Sequence, residues 1–193
     1  NNTVLDYGCG KGRVGFFLSY ETGSRVVGIE YDERIYAEAL KNGKHVICEK
    51  AMAVNDSEVA EMAACAKKNG VKLQIGQCCR FEAPRVNLKK LLEEGKYGKV
   101  VRAEFARFSP TPLWSWQNWY MDFEKSGGAA LDLHVHDVDC VQWLFGTPKS
   151  VFATAGHSKN KFESVCSNFI YDDFYVTTMT DWNMAATYPF TVR

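Results

Sequence analysis

Apolar residues in the first 80 positions form short, nearly continuous runs that alternate with helical patterns. We predict strands over residues 3–7, 25–30, 45–49 and 71–76. Helical spacing of apolar residues separates these strands at 13–20, 34–42 and 55–69. Asn55, Asp56 or Ser57 can cap the last of these helices, and Gly70 ends it. Continuous apolar strands that alternate with helices are typical of a parallel sheet covered on both faces.

The pattern changes after about residue 81. We predict helices over 86–94 and 127–145, and a tryptophan-rich loop over 110–120. Alternating apolar and polar positions predict strands over 100–109, 150–155, 165–171 and 174–181. Asp172 and Asp173 form the turn of a hairpin between the last two strands. This half therefore has helices on one face of an antiparallel sheet, and covering the other face favours self-association.

These patterns together predict an α/β protein of two domains. Residues 1–80 form a partial Rossmann-like parallel sheet, and residues 81–193 form an α+β domain with a mostly antiparallel, open sheet. The open sheet predicts a homo-oligomer.

Composition and charge exclude several classes of function. The 193 residues contain 23 Lys and Arg and 23 Asp and Glu, so the formal net charge is zero. A balanced charge predicts no general attraction to nucleic acid or to an anionic membrane. No apolar stretch approaches the length of a membrane span, and the first residues lack the pattern of a signal peptide. The seven cysteines include no C-x-x-C motif, which favours reduced cysteines in a cytoplasmic protein over a disulfide framework or structural zinc.

Glycines follow the first predicted strand and precede the first helix. Gly8, Gly10 and Gly12 allow backbone N–H groups to approach a ligand closely, and Glu30 ends the next strand. An acid at that position can bind two ribose hydroxyls, so the unit predicts an adenosine-containing ligand. The alternative is a tight turn without a ligand.

Two resemblances bear on this ligand. The first covers residues 3–39, where Val-Leu-Asp-Tyr-Gly-Cys-Gly-Lys-Gly-Arg resembles the first motif of class I methyltransferases. This resemblance implies S-adenosylmethionine bound through Asp6, Gly8, Gly10 and Glu30. A carboxylate at Asp6 would repel a pyrophosphate but can receive the ammonium group of that cofactor.

The second resemblance covers about residue 40 onward. Gly-Lys-His-Val-Ile-Cys-Glu-Lys-Ala-Met-Ala at 43–53, the Gly-Gly-to-Asp segment at 127–139 and the segment at 182–191 resemble the Gfo/Idh/MocA oxidoreductases. That family implies NAD or NADP on a Rossmann domain and hydride transfer at a hydroxyl-bearing carbon of a sugar, cyclitol or similar polyol. It implies Lys50, Asp132 and His136 as the catalytic residues, with Glu49 and Lys50 also at the cofactor.

The chemistry of these three side chains supports the assignment independently. A histidine titrates near neutrality and suits removal of a hydroxyl proton, which is the role of His136. Asp132 lies four residues earlier, on the same face of a helix, and can orient the imidazole. Lys50 follows a strand end, where its ammonium can polarise an alcohol oxygen. The alternatives are a helix N-cap for Asp132, an interface histidine for His136 and a solvated lysine for Lys50.

Further candidates are Arg80 and Trp119 at the substrate. Arg80 can contact phosphate or substrate oxygens, and an ion pair is the alternative. An aromatic wall against the C–H face of a sugar can form from four residues, for which packing in a core is the alternative: Trp114, Trp116, Trp119 and Tyr120. His134 and His136 diverge on a helix, so we predict no metal there.

The two resemblances meet near residues 38–41, where both families supply a helix. The chain is therefore expected to join a methyltransferase-like segment, 1–40, to an oxidoreductase whose substrate domain is truncated at its C-terminal end. The alternatives to a dehydrogenase are a methyltransferase-like protein that binds S-adenosylmethionine and a non-catalytic fragment that folds as an oligomer.

Overall fold

The computed structural model describes residues 3–7, 13–29, 40–41, 43, 45–156 and 163–193. The chain divides into two compact units, Asn1–Gly76 and Gln77–Arg193. The boundary predicted from the sequence lies four residues further along the chain. Each unit has its own sheet and its own core.

The first unit contains a parallel sheet of four strands. These are β1 (Thr3–Tyr7), β2 (Arg25–Ile29), β3 (His45–Glu49) and β4 (Leu73–Gly76), in the order β2-β1-β3-β4. All neighbouring pairs are parallel, as the continuous apolar runs predict. Helix α1 (Arg13–Thr22) lies between β1 and β2 in the chain. The predicted helix 34–42 falls largely outside the described residues.

Helix α2 (Asp56–Lys68) shows why local signals fix an element's ends. The Asn55 side chain accepts a hydrogen bond from the Glu58 N–H at 3.0 Å, which satisfies one free donor of the first turn. Acidic residues lie in its first turn and lysines in its last, where they complement the helix dipole. Its buried face packs in a core of five residues: Leu40, Val46, Cys48, Met62 and Ala66.

The helices of the second unit depart from the prediction at three places. Helix α3 (Ala83–Glu94) begins three residues before the predicted start. The segment predicted as loop at 110–120 contains short 3₁₀ turns within Trp116–Met121, interrupted by Gln117 and Asn118 in the left-handed conformation. The short helix α4 (Phe123–Ser126) follows. The helix predicted over 127–145 has a π turn, Ala130–His134, which leads into α5 (Val135–Phe145). Among the described residues, the helices are too short or too polar to cross a membrane.

The second sheet has five strands in the order β6-β7-β8-β5-β9. Their bounds are β5 (Arg102–Pro110), β6 (Ser150–Gly156), β7 (Ser164–Ile170), β8 (Tyr175–Met184) and β9 (Thr191–Val192). The predicted hairpin joins β7 to β8, with Ile170 opposite Tyr175. The β5–β8 pair is parallel, so the sheet is mixed and mostly antiparallel.

Helix α5 covers one face of this sheet. Cys140 and Val141 are fully buried against sheet residues Phe105, Phe169 and Val176. Strand β6 is exposed almost throughout, and the Phe152 side chain is 64% exposed. One face of the sheet therefore carries the core, as the alternating pattern predicts, and apolar side chains lie on accessible surface.

Gly127 provides a test of how tightly the π turn is packed. Gly127 and Gly95 share the left-handed conformation, at φ 67° and φ 63°, but a Cβ on Gly127 would lie 2.7 Å from Leu131 Cβ, whereas Gly95 has open space. We expect Gly95→Ala to cost about 1–2 kcal/mol of folding free energy from backbone strain alone. Gly127→Ala should cost about 1–3 kcal/mol more because of overpacking. Urea unfolding of both variants measures this difference, and equal losses would contradict it.

Candidate functional site

The carboxyl edge of the parallel sheet is the natural ligand position in the first unit. Strand β1 is followed in the chain by β2 on one side of it and later by β3 on the other, so the strand order reverses at β1 and β3. Open α/β sheets bind ligands in the crevice at such a point. Of the predicted cofactor residues, Gly8, Gly10, Gly12 and Glu30 lie outside the described residues.

Glu49 and Lys50 lie at this same edge. Glu49 ends β3, and the half-buried Lys50 follows it directly. Gly76 ends the neighbouring strand, and a Cβ there would lie 3.2 Å from the Glu49 carboxylate oxygen. The glycine therefore leaves room for the Glu49 side chain, a role that the sequence analysis did not assign.

Asp132 and His136 belong to the second unit. Asp132 lies within the π turn rather than at a helix N-cap, and His136 is the second residue of α5. The Val135 N–H bonds to the Ala130 carbonyl, which widens the turn between Asp132 and His136. The two residues remain four positions apart in one continuous helical segment, and their shared face stays a prediction.

His136 contacts a cysteine that the sequence analysis did not select. Its Nδ1 lies 3.5 Å from Cys79 Sγ, which belongs to a 3₁₀ turn formed by Cys78–Phe81. Burial raises the pKa of the Cys79 thiol to about 12, although the nearby Arg107 guanidinium opposes this rise. The thiol is therefore protonated at neutral pH.

His134 anchors the π turn to the sheet. It is buried, with Nδ1 2.9 Å from Thr180 Oγ1 and Nε2 2.9 Å from Ser167 Oγ, and Thr178 Oγ1 lies 3.2 Å from Nε2. His136, in contrast, contacts Cys79. Burial lowers the pKa of His134 below its ordinary value, against the opposing charge of Asp137.

This shift predicts a loss of stability in weak acid. The folded protein keeps His134 neutral to a lower pH than the unfolded chain, which takes up a proton as the pH falls below the ordinary value of 6.5. The free energy of unfolding should therefore fall between pH 7 and 5, with a slope from this group of at most about 1.4 kcal/mol per pH unit. Urea unfolding across this range should show a weaker pH dependence for His134→Gln. An unchanged dependence in that variant would contradict the assignment.

Arg80 is held by an ion pair. Its Nε and NH2 groups donate to the two Asp139 carboxylate oxygens at 2.7 and 2.5 Å. The hydrogen bond to Asp139 raises the pKa of Arg80 above its ordinary value. The Arg80 side chain is still 40% exposed. The structure thus contains the ion pair that was the alternative to a substrate contact.

A buried charge network lies beside this ion pair. The fully buried Asp137 carboxylate accepts hydrogen bonds from Arg107 at 2.9 and 3.2 Å, and Arg85 NH2 lies 3.7 Å away. Arg85 also pairs with Glu82. Arg107 and Arg85 were not predicted as site residues, because a single charged residue on a strand or a helix gives no sign of its partner. The network fixes α5 against β5 and α3.

The aromatic candidates cluster around Tyr120. Its ring makes edge contacts with Trp114, Trp119 and Trp182, at centroid distances of 5.2, 5.1 and 6.0 Å. Tyr120 packs against the core cluster that contains Trp182, while Trp114 is 78% exposed. The cluster therefore combines core packing with an exposed aromatic surface. The side chain of Trp116 is outside the described part of the structure.

Comparison with known families assigns both units. The family model described as "GFO/IDH/MocA C-terminal domain" matches residues 86–191. A second model, described as "Oxidoreductase family, NAD-binding Rossmann fold", matches residues 27–77. Both matches begin after the glycine-rich segment, but the second includes residues 27–39, which the sequence resemblance placed in the methyltransferase-like segment.

Individual relatives agree with these matches. A 2,7-anhydro-N-acetylneuraminate hydratase of Mediterraneibacter gnavus is 33% identical over 128 residues, which is 66% of this chain and 34% of the relative. A trans-1,2-dihydrobenzene-1,2-diol dehydrogenase of Mus musculus is 37% identical over 113 residues, 57% of this chain and 32% of the relative. The matched region thus spans about a third of these relatives.

A solved structure supports the fold over the whole chain. The crystal structure of GenD2 from gentamicin A biosynthesis in complex with NAD has a TM-score of 0.78 and 19% sequence identity. It matches 100% of this chain, which covers 68% of that protein. At this level of identity the similarity establishes the fold.

Proposed function

Because this chain belongs to the GFO/IDH/MocA family of oxidoreductases, we propose that it transfers a hydride between a nicotinamide cofactor and a hydroxyl-bearing carbon of a sugar, cyclitol or related polyol. The observation that carries the proposal is the match of the two units to the NAD-binding and C-terminal domains of one family. The named diol dehydrogenase and the NAD complex of GenD2 support the reaction type and the cofactor.

The first unit fits a nicotinamide dinucleotide. Its strand order creates the crevice, and the glycines at 8, 10 and 12 follow β1 in the sequence. We assign backbone N–H groups of Gly8, Gly10 and Gly12 to the phosphates, where their attraction has to exceed the repulsion expected from Asp6, and Glu30 to the ribose hydroxyls. A carboxylate at Glu30 favours NAD over NADP, because it repels a 2′-phosphate. When bound, the nicotinamide ring supplies the acceptor or donor of the hydride.

His136 has the chemistry of the proton acceptor. In the tautomer in which Nδ1 donates its hydrogen to Cys79 Sγ, Nε2 keeps a lone pair that can accept the hydroxyl proton. We assign Asp132 to orient this imidazole and to bind a substrate hydroxyl. Lys50 polarises the alcohol oxygen and favours the charge that develops on it.

The substrate class follows from the same groups. A polyol offers hydroxyls to Asp132, and the exposed part of Arg80 can bind a further oxygen while Asp139 holds the guanidinium in place. Trp119, at the edge of the aromatic cluster, suits the C–H face of a sugar ring.

Cofactor binding is the first experiment. Titrating the chain into NADH and NADPH should enhance the nicotinamide fluorescence. Lys50→Met should weaken this binding, whereas Lys125→Met, which alters a mostly exposed lysine paired with Asp122 in the second unit, should leave it unchanged. Absence of binding by well-folded protein would overturn the proposed function.

A second candidate ligand for the glycine-rich segment is S-adenosylmethionine. Residues 3–39 resemble a methyltransferase motif, and both family matches begin at residue 27 or later. Calorimetric titration with S-adenosylhomocysteine tests this candidate separately. We expect no heat of binding, and a saturable signal would instead assign the segment to that ligand.

Self-association is the remaining part of the proposal. The exposed Phe152 side chain, opposite Asn168 on the face of the second sheet away from the core, favours a homo-oligomer formed through that sheet. Sedimentation should show an oligomer that Phe152→Glu dissociates. A stable wild-type monomer would contradict it, and would also count against a non-catalytic fragment that folds only as an oligomer.

A further inference from the structure

We propose that Cys78, Cys79 and His136 form a binding site for a soft divalent cation such as Zn²⁺, and that the bound cation inhibits the enzyme. The ligand atoms of these three side chains all lie within 4.8 Å of one another. The binding claim stands on this geometry alone, whereas the inhibition rests on the proposed function. Neither family resemblance implies these three residues as a metal site.

The donor set has the chemistry of a zinc site. Two cysteine sulfurs and one imidazole nitrogen are ligands that Zn²⁺ accepts with one position left for water. Ligand atoms on one tetrahedral zinc lie about 3.5–4 Å apart, given the usual Zn–S and Zn–N bond lengths. Cys79 Sγ and His136 Nδ1 are already 3.5 Å apart. Cys78 Sγ lies within 4.8 Å of both other ligand atoms, and its exposed side chain is the one that would have to rotate to complete the site.

The two elements that carry these ligands are fixed together. Cys78 and Cys79 lie on the same 3₁₀ turn as Arg80, and His136 lies on the same helix as Asp139. The bidentate Arg80–Asp139 ion pair therefore holds the turn that carries the two cysteines against the helix that carries His136. This arrangement holds the two backbone elements together before the cation arrives, which lowers the entropic cost of binding.

The local charge and accessibility suit a cation. Arg107 lies 3.9 Å from Cys79 Sγ, but Asp137 balances its charge. Zn²⁺ binding releases the two thiol protons to solvent, so two thiolates balance the charge of the cation. Cys78 is exposed and provides a path of entry, while Cys79 is buried.

Binding of the cation would prevent His136 from acting as the base. A neutral imidazole has one N–H and one lone pair. A cation on Nδ1 takes the lone pair and leaves the hydrogen on Nε2, so His136 can no longer accept a hydroxyl proton. The site would therefore act as an inhibitory metal switch on the residue that the proposed reaction needs.

Cobalt titration tests the binding directly. The full chain, reduced with a non-thiol reductant, should take up one Co²⁺ with a sulfur-to-metal charge-transfer band and the visible bands of a tetrahedral site, and Zn²⁺ should displace it. Cys78→Ser should weaken Co²⁺ binding by at least about 100-fold, the upper end of what loss of an outer-shell partner costs. Cys79→Ser should do the same. Cys166→Ser, a half-buried cysteine on β7, should bind as the wild type does.

The outcomes separate the two claims. No thiolate band, or an equal band in Cys78→Ser, would overturn the site, and so would its loss in Cys166→Ser. Because Cys78 is exposed, Cys78→Ser keeps the test decisive even where Cys79→Ser fails to fold. Zn²⁺ inhibition in the wild type but not in Cys78→Ser supports the switch. Unaltered turnover with Zn²⁺ bound overturns the inhibition, and an inactive chain that binds Co²⁺ refutes only the proposed function.

Discussion

Replacing His136 by Asn should lower kcat for nicotinamide-dependent polyol oxidation by about 100- to 10,000-fold, the usual contribution of general base catalysis. Asn keeps a polar side chain of similar size near Cys79, but its amide cannot take up the hydroxyl proton. Cofactor affinity should change little, because His136 is not assigned to the cofactor. Steady-state kinetics and the nicotinamide fluorescence titration measure the two effects separately.

A matched control is His45→Asn. His45 begins β3 and accepts a hydrogen bond from the Lys72 N–H through Nδ1, a contact that an Asn side-chain oxygen can reproduce. This variant should retain the wild-type kcat. A His136→Asn enzyme with kcat within a fewfold of the wild type would show that another group removes the proton.

Replacing Asp137 by Asn should destabilise the protein by about 3–5 kcal/mol, the typical cost of removing one partner of a buried ion pair. Asn has nearly the same shape, so the loss arises from charge. Arg107, which is only 4% exposed, would keep a buried positive charge without its counter-ion, and Arg85 lies beside it. Urea unfolding measures the loss as a shift of the transition midpoint at constant slope.

Two further variants separate charge from packing. Asp139→Asn breaks the partly exposed pair with Arg80, and should cost about 1 kcal/mol or less. The double variant Asp137→Leu and Arg107→Met replaces the buried pair by apolar residues, and should recover most of the stability. A loss in Asp137→Asn no larger than that in Asp139→Asn would contradict the proposed importance of the buried network.

Elements defined by local signals were predictable from the sequence. The strands of the first sheet follow continuous apolar runs, and Asn55 and the lysines near Lys68 set the limits of α2. The β7–β8 hairpin was predictable because Asp172 and Asp173 provide turn residues between two alternating segments. The parallel pairing of β5 with β8 was not, since strands 65 or more residues apart carry no sign of their pairing in a local pattern.

Contacts within the candidate site were unpredictable for the same reason. The sequence identified His136 as a candidate base, but its contact with Cys79 joins residues 57 positions apart. The Arg107–Asp137 pair spans 30 positions, and no spacing rule relates a strand residue to a helix residue over that distance. The π turn at Ala130–His134 was not predicted either, because its apolar residues have the spacing of an ordinary α-helix. The roles of Lys50, Asp132 and His136 stay predictions.

Hydride transfer from a polyol carbon to the nicotinamide cofactor can be followed directly with deuterium. The chain is incubated with NAD or NADP and carbon-deuterated polyols (glycerol, myo-inositol and glucose), and the reduced cofactor is analysed by mass spectrometry. We expect the cofactor to gain one deuterium with at least one polyol, and His136→Asn to abolish this gain. A cofactor that binds but gains no deuterium from any of them, or that gains it equally with His136→Asn, would rule out hydride transfer with His136 as the base.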